Sequence, residues 1–256
     1  MRAAGTRGFQ SQGLCVAVLQ HEVETGLGVF SALLDEAGVD YEVLETRGAL
    51  PLPDETGFDG VIALGGSLGA DDAELNEALH WIRDAVLRDT PFLGICLGGQ
   101  LLATALGGFV RRGSRPEVGV HDVFLTDAAK RDPLLGGLPG RFPVLGWHQD
   151  AFGLPPRAIP LAGSIAYEHQ AFRFGAGAYG LQFHPEVRPD DVDRWAAVPA
   201  YTGLLERAGA DWDEVRSALE RAEPELDVLA GRLLERWLHL VTSAPGVREW
   251  RTRVAV

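Results

Sequence analysis

Gly94-Ile95-Cys96-Leu97-Gly98-Gly99-Gln100 decides how this chain is read: an apolar run from Pro91 to Ile95 drives into a cysteine between glycines, and a helical pattern follows from Gly99 to Leu106. A strand that turns this abruptly into a helix forms a nucleophile elbow. Small neighbours are required because the nucleophile sits in a strained backbone conformation, and the turn leaves the sulfur at a helix N-terminus, where the dipole favours negative charge. The competing reading of Cys96 is a small buried core residue, the usual fate of a free cysteine.

Working outward, the same alternation continues. Upstream, Leu14 to Leu19 reads as a strand, Gly26 to Ala37 as an amphipathic helix, Tyr41 to Leu44 as a strand, and Gly60 to Leu64 as a buried strand ending at Gly65-Gly66; Ala73 to Leu87 is helical. Such a βα series predicts an α/β fold: an open, mostly parallel sheet with helices on both faces and ligands beyond the carboxyl ends of the strands. Both Gly65-Gly66 and Cys96 fall at such ends. From Gly108 to Phe183 the texture changes to short β-like runs (Val118 to Leu125, Ala158 to Ala162, Ala171 to Phe174, Tyr179 to Phe183), read as an antiparallel edge extension. Beyond Pro189 the spacing predicts three C-terminal helices, Val192 to Ala208, Asp211 to Arg221 and Glu225 to Val241. The expected division is a flexible N-terminus over 1–13, one domain over 14–242 that includes these helices, and a tail over 243–256.

Composition narrows the function classes. Of 256 residues, 46% are hydrophobic and 23% charged, the balance of an ordinary soluble globular protein. The formal charge of -13 repels phosphate backbones and anionic lipid, so neither nucleic acid nor a membrane surface is an expected partner. Two cysteines, Cys15 and Cys96, exclude a disulfide framework and point to a reducing cytoplasm. No stretch is apolar enough for a membrane span, and the polar start lacks the core of a signal peptide.

A second segment raises the weight of the elbow. In Gly180-Leu181-Gln182-Phe183-His184-Pro185-Glu186 a β-like run ends at a histidine, with a carboxylate two residues later. A cysteine nucleophile needs a base to hold it as thiolate and later to protonate the leaving amine, and that base needs a carboxylate to orient it. Cys96, His184 and Glu186 can fill those roles, although His184 or Glu186 alone would pass for a hydrogen-bonded or solvated residue.

With these segments in view, the sequence resembles the class I, triad-type glutamine amidotransferases, and within them stand-alone domains similar to the amidotransferase part of GMP synthase. The resemblance runs from the first strand through Ala63-Leu64-Gly65-Gly66-Ser67, Pro91 to Gly108 and Trp147-His148-Gln149-Asp150 to Gly180–Glu186. It implies Cys96 as nucleophile, His184 as base and then acid, and Glu186 as the group that orients it. It also implies oxyanion-hole amides from Gly66 and Leu97, with Gly65 and Gln100 against the glutamyl portion of the substrate. His148 and Asp150 either line that pocket, as the resemblance suggests, or belong to a turn that packs Trp147 on the core. Many members of the family have proline where this chain has Ser67, which bears on how rigid the oxyanion loop is before substrate arrives.

Two activities follow from the resemblance. In one, glutamine is hydrolysed through a γ-glutamyl thioester and ammonia passes to a separate synthetase subunit; in the other, the chain is a self-sufficient γ-glutamyl peptidase or hydrolase. An α/β-hydrolase with a cysteine nucleophile is disfavoured because its acid precedes its histidine in the chain, whereas Glu186 follows His184. No cofactor is expected: the glycines after Gly60–Leu64 lack both the dinucleotide fingerprint and the P-loop lysine. No metal is expected either, since His121-Asp122 and Glu168-His169 lack metal-site spacing.

Overall fold

The structure, a computed structural model, describes residues 13–48 and 51–245. The expected flexible start and tail therefore lie outside the described residues, apart from Gly13 and residues 243–245. Nine strands form one sheet: β1 (Cys15–Gln20), β2 (Asp40–Glu45), β3 (Gly60–Ala63), β4 (Phe92–Ile95), β5 (Phe109–Leu125), β6 (Arg141–Gly153), β7 (Ile159–Gly163), β8 (Ala171–Phe174) and β9 (Ala178–Leu181), in the order β2-β1-β3-β4-β9-β8-β7-β5-β6. The first four pairings, β2 through β9, are parallel and the remaining four antiparallel.

The strand alternation sorts side chains onto two faces, because successive residues of a strand point to opposite sides. In β1, Val16 and Val18 join the cluster under α1 (Val29–Ala37) and the distal half of α6 (Trp212–Ser243). Ala17 and Leu19 join the opposite cluster under α2 (Asn76–Leu87) and α3 (Leu97–Ala105). A third cluster joins Leu145 and Trp147 of β6 to α4 (Pro189–Trp195), α5 (Pro199–Ala208) and the first half of α6. It is this third cluster that carries helices to the end of the sheet where Cys96 and His184 lie. No helix among the described residues is long and apolar enough to cross a membrane.

Three elements depart from the sequence reading. The expected helix over Val192 to Ala208 is two, because Pro199 pushes Val198 into an extended conformation (φ -97°, ψ 117°) and restarts the chain as the first turn of α5. The two expected helices after Asp211 are one continuous α6 of 32 residues through Pro224. An internal proline costs about 3 kcal/mol, but Val215 and Leu219 before it and Leu226, Leu229 and Leu233 after it are buried, and keeping both halves on one axis preserves that packing. Finally, β6 runs through Pro143 and Gly146, which hid it from the pattern, and pairs with a β5 longer than Val118 to Leu125 that bulges between Arg112 and Glu117.

Candidate active site

The elbow is built by close backbone contact. Cys96 lies between β4 and α3 at φ 50°, ψ -106°, a conformation that non-glycine residues rarely adopt, and it is 5% exposed. Its N–H donates to Leu181 O (2.7 Å) and that of Gly98 to Leu64 O (3.0 Å), which ties the turn to β9 and to the end of β3. A Cβ on Gly98 would sit 2.1 Å from Ala63 O, so only glycine fits there.

His184 comes from the chain just past β9, where its N–H donates to Leu145 O (2.9 Å). Its Nδ1 is 2.8 Å from Glu186 Oε1, both side chains are buried, and the edge of Trp195 covers the ring with centroids 5.1 Å apart. Burial would lower the imidazole pKa, but the charges of Glu186 and of the Cys96 sulfur outweigh it and hold His184 up to about 10. Glu186 is fixed from behind by its own carbonyl, which accepts from the Val29 N–H at 2.9 Å. Gly65 sits between the partners: a Cβ there would lie 2.8 Å from His184 Cε1 and 3.6 Å from Cys96 Cβ.

The loop after β3 is gripped by the loop after β1. Thr25 Oγ1 donates to Gly65 O (3.0 Å), and Glu22 Oε1 accepts from the Ser67 N–H (3.0 Å) and from the Ser67 hydroxyl. The other oxygen of Glu22 accepts from Tyr201 Oη on α5 (3.1 Å). Proline has no N–H, so serine makes possible a carboxylate anchor that proline at this position would lose. Ser67 therefore does not leave the loop untethered. The Gly66 and Leu97 amides have no hydrogen-bond acceptor among the described residues.

A cavity of about 340 Å³ opens from Cys96, with Gly66, Gln100, Asp150, Trp147 and Tyr201 in its walls. Gln100, one helical turn after Cys96, is buried and donates to Asp150 O (3.0 Å). His148 also lines the cavity, yet both its ring nitrogens are engaged, Nδ1 with Asp150 O (3.1 Å) and Nε2 with Glu117 Oε2 (3.1 Å). Burial lowers its pKa. The segment is strand β6 rather than the turn that the sequence offered as one alternative, and Trp147 lines the cavity while packing on Trp195, Tyr201 and Trp212.

Glu117 accepts from His148, Ser164 and Gln170, and His121 Nε2 is 3.2 Å away; burial would raise its pKa, but these partners hold it well below the usual carboxylate range. Among the described residues no group of three His, Cys, Asp or Glu side chains is placed to hold a metal ion. Cys15 is half-buried rather than fully shielded, and its thiol pKa is raised by burial and by Asp59, Glu42 and Asp40.

The sequence reading missed Gln182, whose Nε2 lies 3.7 Å from Cys96 Sγ, although the two-residue alternation with His184 could have found it. It also missed Glu22, Arg112, Tyr201 and Arg207, which no local pattern ties to Cys96.

The class-I glutamine amidotransferase family model matches residues 30–194. The glutamine amidotransferase-like protein YfeJ of Salmonella typhimurium is 36% identical over 114 residues, 44% of this chain and 48% of its own length, so the chain spans about half of that relative. One subunit of the glutamine-hydrolysing GMP synthase of Saccharolobus solfataricus is 34% identical over 155 residues, 59% of this chain and 78% of its own. Among solved structures, a glutamine amidotransferase from Thermotoga maritima superposes with a TM-score of 0.77 at 34% identity, covering 89% of this chain and 98% of that one. Another from Methylobacillus flagellatus gives 0.80 at 28%, covering 88% and 94%. Helices α5 and α6 lie beyond the family match. By matched span, fold and sequence likeness, the chain belongs to the class-I glutamine amidotransferase family.

Proposed function

We propose that this chain hydrolyses the side-chain amide of a γ-glutamyl compound, glutamine in the first instance, with Cys96, His184 and Glu186 as its triad. The observation that carries the reading is the pairing of Cys96, held at positive φ at the head of α3, with a buried His184–Glu186 hydrogen bond across Gly65. The Cys96 thiolate attacks the amide carbon, and the oxyanion is met by the N–H groups of Gly66 and Leu97. The His184 imidazolium, steadied by Glu186, protonates the leaving nitrogen, and ammonia or an amine departs from a γ-glutamyl thioester. Water then gives a proton to His184 as it attacks the thioester, and glutamate leaves with the thiolate regenerated. Gln100 and Asp150 hold the glutamyl portion; His148 shapes that wall through Asp150 O.

Two fates of the nitrogen are consistent with this chemistry. Ammonia could be handed to a separate synthetase subunit, in keeping with relatives named as subunits of GMP synthase. A self-sufficient γ-glutamyl hydrolase is favoured by one feature, the closing of the cavity's outer side by α5 of the same chain. The test is glutamate release from glutamine and γ-glutamyl amides, with Cys96→Ala as control. Turnover should vanish in the variant while its thermal unfolding is kept, and a glutamine-like electrophile should label Cys96 and not Cys15. Full activity in Cys96→Ala, or an adduct on Cys15, overturns the assignment.

A further inference from the structure

Beyond the triad, three charged side chains not already paired by a charge line the cavity: Asp150, Arg112 and Arg207. Arg112 and Asp150 are cross-strand partners in the β5–β6 ladder, and among the described residues the Arg112 guanidinium hydrogen-bonds only the neutral Gln149 side chain (2.8 Å). Arg207 lines the same cavity from α5, past the residues that the family model matches. It is exposed and, among the described residues, its side chain has neither an ion pair nor a hydrogen bond. Other exposed arginines, Arg83, Arg157 and Arg221 among them, likewise have no ion pair among the described residues, so what singles Arg207 out is its place on the cavity wall. Its guanidinium lies against Gly203, another cavity residue, with Nη1 3.4 Å from where a Cβ would be.

Counting charge gives the substrate class. A γ-glutamyl group carries one α-amino cation and one α-carboxylate anion, which Asp150 and Arg112 complement as a pair. Glutamine has nothing further to offer Arg207, since its leaving group is ammonia. We propose that Arg207 receives a carboxylate on the leaving group, so that the preferred substrates are γ-glutamyl amino acids. This rests on the hydrolytic reading above and selects between its two forms. The reaction balances without a co-reactant: water adds across the γ-amide, the C–N bond breaks, a C–O bond forms, and the products are glutamate and a free amino acid.

The experiment compares kcat/KM of the full-length chain for γ-glutamylglycine and γ-glutamylmethylamide, which share the scissile amide and differ in the carboxylate. One charge-assisted contact supports a preference of about tenfold. The wild type should favour γ-glutamylglycine by about that factor. Arg207→Ala should bring the ratio close to one, mainly through KM, and Arg207→Lys should restore part of it. Equal kcat/KM for the two compounds in the wild type, or a preference that survives Arg207→Ala, overturns the subsite while leaving the hydrolytic reading intact; Arg207 would then be free to meet an acidic partner surface.

Binding to Cys96→Ala, measured calorimetrically with the same two compounds, separates the other case. If the wild type turns over neither compound but Cys96→Ala binds γ-glutamylglycine more tightly in an Arg207-dependent way, the hydrolytic reading fails and the subsite stands. Absence of both turnover and binding removes both.

Discussion

Glu22→Ala tests whether the oxyanion loop is held from within this chain. The substitution removes the acceptor for the Ser67 N–H (3.0 Å), for the Ser67 hydroxyl and for Tyr201 Oη (3.1 Å). Hydrogen bonds to a charged group contribute about 1.5–3 kcal/mol when buried. Glu22 is only half-buried and the freed Ser67 groups can be rehydrated, so about 1 kcal/mol for each of the Ser67 and Tyr201 contacts is the appropriate scale. Some 2 kcal/mol of loop-ordering free energy corresponds to about thirtyfold in the ratio of ordered to open loop. In the proposed mechanism the Gly66 amide acts only on the developing oxyanion, so the loss should fall on kcat, by about ten- to thirtyfold, with KM changed no more than about twofold. The control is alkylation of Cys96 by iodoacetamide, a displacement that creates no oxyanion and should keep its rate. A kcat within twofold of wild type refutes the clamp. A parallel fall in alkylation refutes it differently, by showing that the nucleophile and not the loop was disturbed.

Two further outcomes follow from the same geometry. Gly65→Ala places a Cβ 2.8 Å from His184 Cε1, and the ring cannot yield because Glu186 and Trp195 pin it; turnover should fall by about a hundredfold or more while circular dichroism remains native, and near-normal kcat would contradict this packing. Stability should peak near pH 6.5. On the acid side, burial lowers His21 to about 4, so its contribution, on the order of 3 kcal/mol, is present above 6.5 and lost as pH falls through 4. On the alkaline side, His184 is raised to about 10, so its contribution is present below 6.5 and lost as pH rises through 10. Urea unfolding against pH should show both limbs, with Glu186→Gln flattening the alkaline one; an alkaline limb that survives in that variant would mean that the His184–Glu186 pair does not produce it.

The parts of the site that were legible in the sequence are those in which one residue dictates its neighbour. Gly98 is readable because no other side chain clears Ala63 O, and the run to Glu186 is readable because a strand end fixes where His184 points. The βα order up to α3 was legible for a similar reason: parallel strands buried on both faces leave continuous apolar runs. The antiparallel half was less legible. The run of β6 contains Pro143 and Gly146, and its pairing with β5 is set by a partner some thirty residues away and by a bulge that no local pattern announces.

What lay outside the reach of pattern is the outer half of the cavity, and the reason bears on substrate choice. Tyr201 and Arg207 reach the site only because Pro199 breaks the helix, turning α5 so that it packs through Tyr201 and Leu205 on the third core cluster. Glu22 matters only because the β1 loop meets both Ser67 and that same Tyr201. Cys96, His184 and the Gly66 and Leu97 amides are fixed by local backbone geometry, whereas the outer wall of the cavity is assembled by tertiary packing of α5, past the residues that the family model matches. A change at Pro199 or Arg207 can therefore alter which leaving group is accepted while the elbow at Cys96 stays as it is, and the physical separation of the two halves explains why one motif can name the chemistry without naming the substrate.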